Sequence, residues 1–450
     1  MSTAATSAPE RPEVSHVVEH LFRHEAGKMV ATLTRIFGLD HLTLAEDVVQ
    51  EALARALQSW PFYGVPKNPA AWLMRVSRNL ALDVVRREKN FKDKEANLVL
   101  LTEQAQPAPG AGFLSEQEIA DDRLRLMFVC CHPRIPEDAR VALALKTLGG
   151  FSVAEIARAF LTTEAAVAKR LTRAKQKIRS ARIPFEIPTG AELTERLDSV
   201  MQSLYLLFNE GYKASSGEEL VRGDVCREAI RLAELLAEHP AGEVPKTHAL
   251  LALMLLNAAR LTARVDASGN LLRLCEQDRS RWDQPMIARG MFHLAQSAAG
   301  GEISEYHLQA GIAACHCVAS DYASTDWSQI LELYDRLAGF DDSPVLALNR
   351  AVALAEVRGA RAGIEAIGEI RNLPSLESYY LFYAVLGDFE WRLDHAAAAA
   401  AHFRKSLELA QIKSEQVFLF HRLQSCEAAL YNAIGMESLS PGLRGTNCLG

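Results

Sequence analysis

The sequence lacks several features that would place it in other classes of protein. It has no run of about 18 uncharged apolar residues, and its first twenty residues lack a basic start followed by an apolar stretch. We therefore expect no membrane span, no secretory signal and a cytoplasmic location. Eight cysteines scattered over 450 residues are too few for a disulfide framework, which fits a reducing compartment.

Recognisable catalytic patterns are missing as well. The sequence contains no nucleophile elbow, Walker loop, dinucleotide fingerprint or zinc-protease pattern. The clusters Cys130-Cys131-His132 and Cys315-His316-Cys317 lack the paired spacing of a zinc site, because adjacent residues on a helix point about 100° apart. We expect both clusters to be structural, and we expect no enzymatic activity, no metal and no cofactor.

Signals for β-strands are also scarce, whereas apolar residues recur at helical spacing nearly everywhere, which predicts an all-α protein. A stretch rich in Pro, Gly and Gln indicates a flexible linker over residues 91–114. Prolines and a glycine between residues 183 and 190 mark a second boundary. The predicted domains are therefore residues 12–90, 115–183 and 190–450.

Charge is distributed unevenly along the chain. Residues 1–185 contain 26 Lys and Arg against 21 Asp and Glu, whereas residues 186–450 contain 23 against 35. The net charge of -7 therefore conceals a mildly basic part followed by an acidic part. The basic part is compatible with nucleic-acid binding.

The first predicted domain carries an acidic helix face. Thr43-Leu-Ala-Glu46 has the form of a capping box and predicts a helix from about Leu44 to Ser59. One side of this helix is apolar, with residues Val49, Ala52, Leu53 and Ala56. The opposite side groups Asp47, Gln50 and Glu51. This patch is either a solvated face or a docking surface for a basic partner.

Asn68-Pro69 supplies an N-cap and a proline at the first helical position, which predicts a second helix to about Glu88. Its predicted apolar side consists of Leu73, Val76, Leu80 and Val84. The other side carries a stripe of Trp72, Arg75, Arg78, Asn79, Asp83 and Arg86. Arginines neutralise phosphates, and tryptophan stacks on unpaired bases, so the stripe suits partly melted DNA. Alternatively, the tryptophan packs at a domain edge and the arginines pair with neighbouring carboxylates.

The second predicted domain has a helix-turn-helix pattern. A helix over residues 137–148 ends at Gly149-Gly150, Ser152-Val-Ala-Glu155 forms a capping box, and Thr162-Thr163 caps a last helix. The first turns of such a helix enter the major groove, so the candidates near base edges are Thr163, Glu164, Ala166, Val167 and Arg170. The candidates for phosphate contacts are Lys169, Arg173, Lys175, Lys177, Arg179 and Arg182. A basic solvated surface helix is the alternative.

Together these motifs resemble the paired DNA-binding domains of extracytoplasmic-function (ECF) RNA polymerase sigma factors. Asp47-Val-Val-Gln50-Glu51 resembles the segment that grips the polymerase clamp helices. The segment from Trp72 to Arg87 is similar to the family's minus-ten recognition helix. The resemblance implies that the loop over residues 59–68 captures a flipped base, that the helix from Thr163 reads the minus-thirty-five element, and that the partners are core RNA polymerase and promoter DNA.

Residues 190–450 form an extension that ordinary members of this family lack, since their chains end soon after the recognition helix. Leu204–Tyr212, Gln277–Asp283 and Ser343–Ala351 resemble a subgroup whose C-terminal region contains tetratricopeptide-like helix pairs. The resemblance implies regulation within the chain. Ala399, Phe403 and Ser406 also occupy repeat-like spacings, so we expect an α-solenoid or a curved helical bundle.

Several interpretations of the extension stay open. Its polar motifs either line a ligand pocket or fix helix register; they are Asn209-Glu210-Tyr212, Asp278-Arg279, Trp282-Asp283 and His307-Gln309. The competing functions are a helix-turn-helix regulator that never engages core polymerase and a ligand- or peptide-binding scaffold with DNA binding as its output. If the acidic extension masks the recognition helix, truncation after Gly190 should increase DNA binding at low salt.

Overall fold

A computed structural model describes residues 11–88, 116–159, 162–212, 223–266 and 272–438. These ranges are helical and contain no β-strand, so the predicted all-α class is confirmed. Within them, no helix combines the length and the apolar composition needed to cross a bilayer. The predicted linker over residues 91–114 lies outside the described residues.

The chain forms two compact units. The first comprises residues 1–208 and 231–242, and the second comprises residues 209–230 and 243–450. The first unit therefore contains both predicted DNA-binding domains and most of the first helix of the predicted extension. Its helices are α1 (Arg11–Phe37), α2 (Leu42–Tyr63), α3 (Pro69–Glu88), α4 (Glu116–Cys130), α5 (Glu137–Thr147), α6 (Val153–Ala159) and α7 (Glu164–Ser180). Two further helices contribute residues to both units, α8 (Gly190–Tyr212) and α9 (Gly223–Glu238).

In the first unit, α1 packs against α2, α3 and α4, and α5 packs against α7. The apolar side of α2 is buried as predicted, at Val49, Ala52, Leu53 and Ala56. The prediction for α3 is partly wrong. Its buried side consists of Leu73, Ser77, Ala81 and Val85, whereas Val76, Leu80 and Val84 are half-buried. The small side chains of Ser77 and Ala81 occupy the positions where α3 is most deeply buried.

Three predicted caps are confirmed. Asn68 Oδ1 accepts a hydrogen bond of 3.0 Å from Ala71 N at the start of α3. Ser152 and Glu155 form a reciprocal capping box, with Ser152 N to Glu155 Oε2 at 2.8 Å and Glu155 N to Ser152 Oγ at 3.1 Å. Thr163 Oγ1 accepts from Ala166 N at 3.2 Å and starts α7.

The predicted capping box at Thr43 and Glu46 is wrong. Helix α2 already begins at Leu42, and its N-cap residue His41 makes no side-chain capping bond. The Glu46 side chain is buried and contacts α5 and α7. The Glu46 carboxylate thus bonds to two side chains that are distant in sequence, and it does not cap its own helix.

The second unit is a succession of α-helices, and from residue 245 onward each helix packs against the next one along the chain. Its further helices are α10 (Pro245–Ala258), α11 (Gln284–Ser297), α12 (Glu305–Val318), α13 (Trp327–Leu337), α14 (Pro344–Arg358), α15 (Ala360–Gly368), α16 (Tyr380–Arg392), α17 (Ala396–Leu409) and α18 (Lys413–Ser438). The repeat-like residues Ala399, Phe403 and Ser406 are buried on α17, at 0%, 1% and 0% exposure. Gly387 of α16 lies against the Phe403 ring, where a Cβ would approach to 3.0 Å. The absence of a side chain at Gly387 therefore lets α16 and α17 pack closely.

Candidate nucleic-acid interface

The acidic face of α2 is accessible. Asp47, Gln50 and Glu51 are all exposed, and Glu51 makes a solvated ion pair of 2.9 Å with Arg55. Partial burial raises the pKa of Asp47, while the positive charges of Lys175 and Lys146 oppose this rise. The surface next to Asp47 therefore already faces basic side chains from the second predicted domain.

The stripe on α3 is exposed along most of its length. Arg75, Asn79, Asp83, Arg86 and Arg87 are exposed, whereas Trp72 and Arg78 are half-buried. The Trp72 ring packs edge-on against the buried Trp60 ring, with centroids 5.5 Å apart and an interplanar angle of 64°. This contact orients the Trp72 ring at the start of α3. Both sequence-based interpretations of Trp72, packing at an edge and stacking on a base, are compatible with this position.

Two exposed aromatic residues stand at the end of α2. Phe62 and Tyr63 have 72% and 89% exposure, and they precede Gly64, whose φ of 78° turns the chain toward α3. Sequence reasoning assigned the loop over residues 59–68 but did not single out these two side chains. The sequence feature that could have identified them is Trp60-Pro-Phe-Tyr-Gly64, an aromatic cluster followed by a turn residue.

Helices α5, α6 and α7 form the predicted helix-turn-helix. On α7, Val167, Leu171, Ala174 and Ile178 are buried. The assignment of Val167 to a base contact stays a prediction that this burial disfavours, because its side chain has 0% exposure and belongs to the core. The other assigned residues lie outside this buried stripe. Thr163, Glu164, Lys169, Arg173 and Lys177 are exposed, and Ala166 and Arg170 are half-buried.

The pattern of buried and exposed side chains on α7 identifies its outward face more precisely than the sequence did. Directly opposite the buried stripe lie five exposed residues, Ala165, Lys169, Thr172, Arg173 and Gln176. Sequence reasoning missed Ala165, Thr172 and Gln176, because it ranked residues by charge and by distance from the helix start. Arg170 is turned toward α5, where its Nε lies 3.1 Å from Asp138 Oδ2.

Comparison with known proteins matches the same segments. Residues 21–91 match the family model of Sigma-70 region 2, and residues 125–178 match Sigma-70, region 4. The ECF RNA polymerase sigma factor SigL of Mycobacterium tuberculosis is 34% identical over 136 residues, which cover 30% of this chain and 72% of SigL. The chain belongs to the ECF RNA polymerase sigma factors. The ECF sigma factor SigE of Mycolicibacterium smegmatis is 29% identical over 161 residues, 36% of this chain and 60% of SigE.

The sigma factor also has a relative that includes the extension. An uncharacterized protein of Rhizobium meliloti is 39% identical over 391 residues, 86% of this chain and 91% of that protein. Residues 196–298 match a family of unknown function, DUF6596. No solved structure matches the chain significantly.

The polar motifs of the sigma factor's extension have identifiable structural partners. Arg279 Nη1 donates to the carbonyl oxygens of His316 and Ala319, both at 2.7 Å, at the C-terminal end of α12. Asp283 caps α11 through Met286 N at 2.9 Å, and His307 Nδ1 accepts from Ser304 N at 3.1 Å. These contacts favour the structural interpretation of the motifs over a pocket.

Further contacts gather around the buried Trp282. The guanidinium groups of Arg260 and Arg279 lie over its ring, 5.5 Å and 5.0 Å from the centroid. Within the described ranges, no group of three or more His, Cys, Asp or Glu residues could hold a metal ion.

Proposed function

We propose that this sigma factor uses three separate surfaces in transcription initiation, each of which binds a different partner. The acidic face of α2 binds core RNA polymerase, the stripe on α3 binds the melted minus-ten element, and the outward face of α7 reads the minus-thirty-five element. The membership of the family supports the overall function. Because core polymerase and the chromosome are cytoplasmic in bacteria, the proposal places the protein there.

The observation that carries the proposal is the exposure of the α3 stripe beside an oriented tryptophan. Arg75 and Arg86 on this stripe are exposed, so they can neutralise phosphates without first leaving a buried site. The aromatic side chains of Trp72, Phe62 and Tyr63 lie at the same end of the α2–α3 hairpin. Aromatic rings next to basic side chains suit single-stranded DNA, since bases stack on the rings while phosphates meet the charges.

For the minus-thirty-five element, the proposal assigns base contacts to the outward face of α7. Thr172 and Gln176 carry groups that hydrogen-bond base edges, and Arg173 and Lys169 suit guanine or phosphate. Arg170 and Val167 are less suited, because one pairs with Asp138 and the other is in the core.

We also propose that the extension acts on the promoter-binding half through α8. Arg196 of α8 donates to the Phe128 carbonyl oxygen at 3.0 Å, and Ser199 Oγ donates to the Cys131 carbonyl oxygen at 2.5 Å. Arg140 of α5 donates to the same Ser199 Oγ at 2.5 Å. These bonds place α8 against the helices that support the helix-turn-helix, a position from which it can influence DNA binding.

The decisive experiment is transcription in vitro with bacterial core polymerase on a library of promoter sequences. We expect the full-length protein to select one class of promoter. Alanine at Asp47, Gln50 and Glu51 together should abolish binding to core polymerase, whereas Arg86→Ala should impair open-complex formation and leave polymerase binding intact. Arg404→Ala, which breaks an exposed ion pair with Glu427, is the matched control. Unchanged core binding by the triple variant would contradict the docking assignment and favour a regulator that does not engage core polymerase.

A further inference from the structure

Three arginine side chains of the second unit lie close together and have no carboxylate partner. Arg260 and Arg264 flank the short 3₁₀ helix Leu261–Ala263 that follows α10, and Arg279 begins another one, Arg279–Arg281. All three are half-buried, and none forms an ion pair with a carboxylate in the described part of the chain. Positive charges that are withdrawn from water are normally paired. The cluster therefore lacks the negative charge that would balance it.

Two aromatic side chains contact these guanidinium groups. Arg260 and Arg279 both lie over the Trp282 ring, at 5.5 Å and 5.0 Å from its centroid. Arg264 lies over the Tyr212 ring at 4.3 Å and donates to the Tyr212 carbonyl oxygen at 2.5 Å. Arg260 Nη2 donates to the Tyr212 hydroxyl oxygen at 3.1 Å. Arg260 thus shares one aromatic side chain with each of the other two arginines.

Hydrogen bonds to the backbone fix the segments that carry the cluster. Asp283 N donates to the Ala259 carbonyl oxygen at 2.9 Å, and Arg281 Nη2 donates to the Thr262 carbonyl oxygen at 2.9 Å. The loop around Trp282 is thereby fixed against the turn that follows α10. A site whose groups are already in place loses little conformational entropy when it binds a ligand.

Arg279 and Arg260 differ in how many of their donors are used. Arg279 Nη1 donates to two carbonyl oxygens at the C-terminal end of α12, and its Nη2 donates to Thr325 Oγ1 at 2.9 Å. These bonds give Arg279 a structural role. A guanidinium has several N–H donors, but Arg260 uses one of them for Tyr212, and its Nε is buried without an acceptor. Arg260 therefore retains donors for an acceptor that the described residues do not supply.

Two further buried groups near Arg260 have no hydrogen-bond partner among the described residues. They are Trp282 Nε1 and His316 Nδ1, and these two residues are 3% and 8% exposed. Burial and the positive charges of Arg260 and Arg279 lower the pKa of His316 to about 3, so its imidazole is neutral. Buried polar groups without partners are rare in folded proteins. Their position beside a cluster of positive charge indicates a ligand that accepts hydrogen bonds.

We propose that Arg260 and Arg264, with Tyr212, Trp282 and His316, bind a small anion that carries a phosphate or carboxylate group. Both groups accept paired hydrogen bonds from a guanidinium fork, and the indole N–H and the neutral imidazole add further hydrogen-bonding groups. Duplex DNA fits less well, because residues 186–450 contain 35 acidic side chains against 23 basic ones and because the unused donors are buried. The site gives the extension a ligand, which goes beyond the promoter recognition proposed above.

Isothermal titration calorimetry on the full-length protein tests the site with two probes, inorganic phosphate and succinate. Sodium chloride keeps the ionic strength equal in all titrations, so that general screening does not differ between them. We expect saturable binding of at least one probe at a single site. Arg260→Met and Arg264→Met should each weaken this binding about tenfold or more, because each removes a charged donor to the anion. The probe that binds identifies the group that the site recognises.

Arg404→Met is the matched control. It removes the same charge from the same unit, but from an exposed ion pair with Glu427, so it should bind the probe as wild type does. Thermal unfolding without a probe identifies any variant that fails to fold, and the other methionine variant then decides. If neither folds, Arg260→Lys decides, since it keeps the charge and the long side chain but loses the planar fork. We expect it to bind the probe at least about tenfold more weakly than wild type.

The proposal is overturned if neither probe binds saturably, or if the folded variants of Arg260 and Arg264 keep the wild-type affinity. It is also overturned if Arg404→Met loses as much affinity as they do. Release of the bound probe by a duplex without promoter elements would assign the site to DNA and overturn the proposal as well. Failure of the proposed promoter-binding function is a separate result, because the probe titrations involve neither polymerase nor promoter.

Discussion

The guanidinium group of Arg196 donates a hydrogen bond of 3.0 Å to the backbone carbonyl oxygen of Phe128, and the Arg196 side chain is only 2% exposed. The same guanidinium lies 5.9 Å from the centroid of the Phe128 ring and pairs with Glu192 at 3.0 Å. A residue that matches the family of unknown function thereby contacts the module that matches Sigma-70, region 4. The two segments share one compact unit, so changes in one should alter the stability of the other.

We expect Arg196→Met to destabilise the first unit by about 2–3 kcal/mol, because the Phe128 carbonyl oxygen loses a charged donor in a buried site. Chemical unfolding followed by circular dichroism measures the change. Arg404→Met is the control, since its ion pair with Glu427 is solvated, with 55% and 51% exposure of the two side chains. Its expected effect is below about 0.5 kcal/mol. Equal effects of the two substitutions would contradict the role assigned to Arg196.

Truncation after residue 190 should yield a less stable protein than truncation after residue 242. The shorter fragment loses the bonds from Arg196 and Ser199 and exposes the apolar surface that packs on α8, whose buried residues include Leu197, Val200 and Leu204. The longer fragment retains every residue of the first unit. Thermal unfolding of both fragments at equal concentration tests this. Identical melting temperatures would show that α8 contributes nothing to the fold of the promoter-binding half.

This expectation bears on the idea that the acidic extension masks the recognition helix. A cut at residue 190 divides a compact unit, so destabilisation opposes any gain in DNA binding from the removal of negative charge. A neutralised full-length variant separates charge from packing better than a deletion does.

On the recognition helix, we expect Gln176→Ala and Val167→Ala to act differently. Gln176 is exposed on the outward face, so its loss should relax base preference at one promoter position by about 1–3 kcal/mol while stability is retained. Val167 has 0% exposure, so its truncation should lower stability and weaken binding to all sequences alike. Binding to a set of single-base variants of the promoter, together with thermal unfolding, distinguishes the two outcomes. A change of base preference with Val167→Ala would restore its assignment as a reading residue.

Stability should fall as the solution becomes acidic. Burial, together with Arg260 and Arg279, lowers the pKa of His316 to about 3, and burial with His248 lowers that of His293 to about 4. The unfolded chain binds protons at these histidines below about pH 6.5, whereas the folded chain does not. Protonation of these histidines therefore has no effect on stability above about pH 6.5 and favours the unfolded chain progressively toward pH 4, by up to about 1.4 kcal/mol per pH unit for each histidine.

Replacement of His316 by Phe tests this, because Phe keeps an aromatic ring against Trp327, now 5.3 Å from the His316 ring centroid. The unfolding free energies of wild type and His316→Phe should be compared at pH 7.5 and pH 5. We expect a smaller decrease for the variant. An identical decrease in both proteins would show that His316 does not contribute to the acid sensitivity.

Local patterns in the sequence predicted local structure well. The capping bonds of Asn68, Ser152 and Thr163 each join two residues that are fewer than four positions apart. A short stretch of sequence therefore contains both partners of each bond. The predicted capping bond of Glu46 was wrong because the true partners of its carboxylate are 101 and 129 residues away in sequence. No spacing rule connects such distant residues, and an acidic side chain three residues after a threonine suggested a cap instead.

Burial was harder to predict than charge. On α3 the most apolar residues were assigned to the core, but the deepest positions include Ser77 and Ala81, because small side chains let helices approach. On α7 the exposed Thr172 and Gln176 carry no charge and were not predicted to contact DNA. The buried Val167 was predicted to contact a base. Asp47, Gln50 and Glu51 lie exposed as their helical spacing indicates, and their role in binding polymerase stays a prediction.

The first unit closes with residues 231–242, well after the recognition helix ends at Ser180. During synthesis, the ribosome must add about 60 further residues after α7 before the unit can be completed, which takes roughly 3 to 12 seconds at bacterial elongation rates. A nascent or prematurely terminated chain therefore carries the DNA-reading helices before it carries the segments that complete their fold. A chain that ends before residue 242 lacks part of the compact unit that contains these helices.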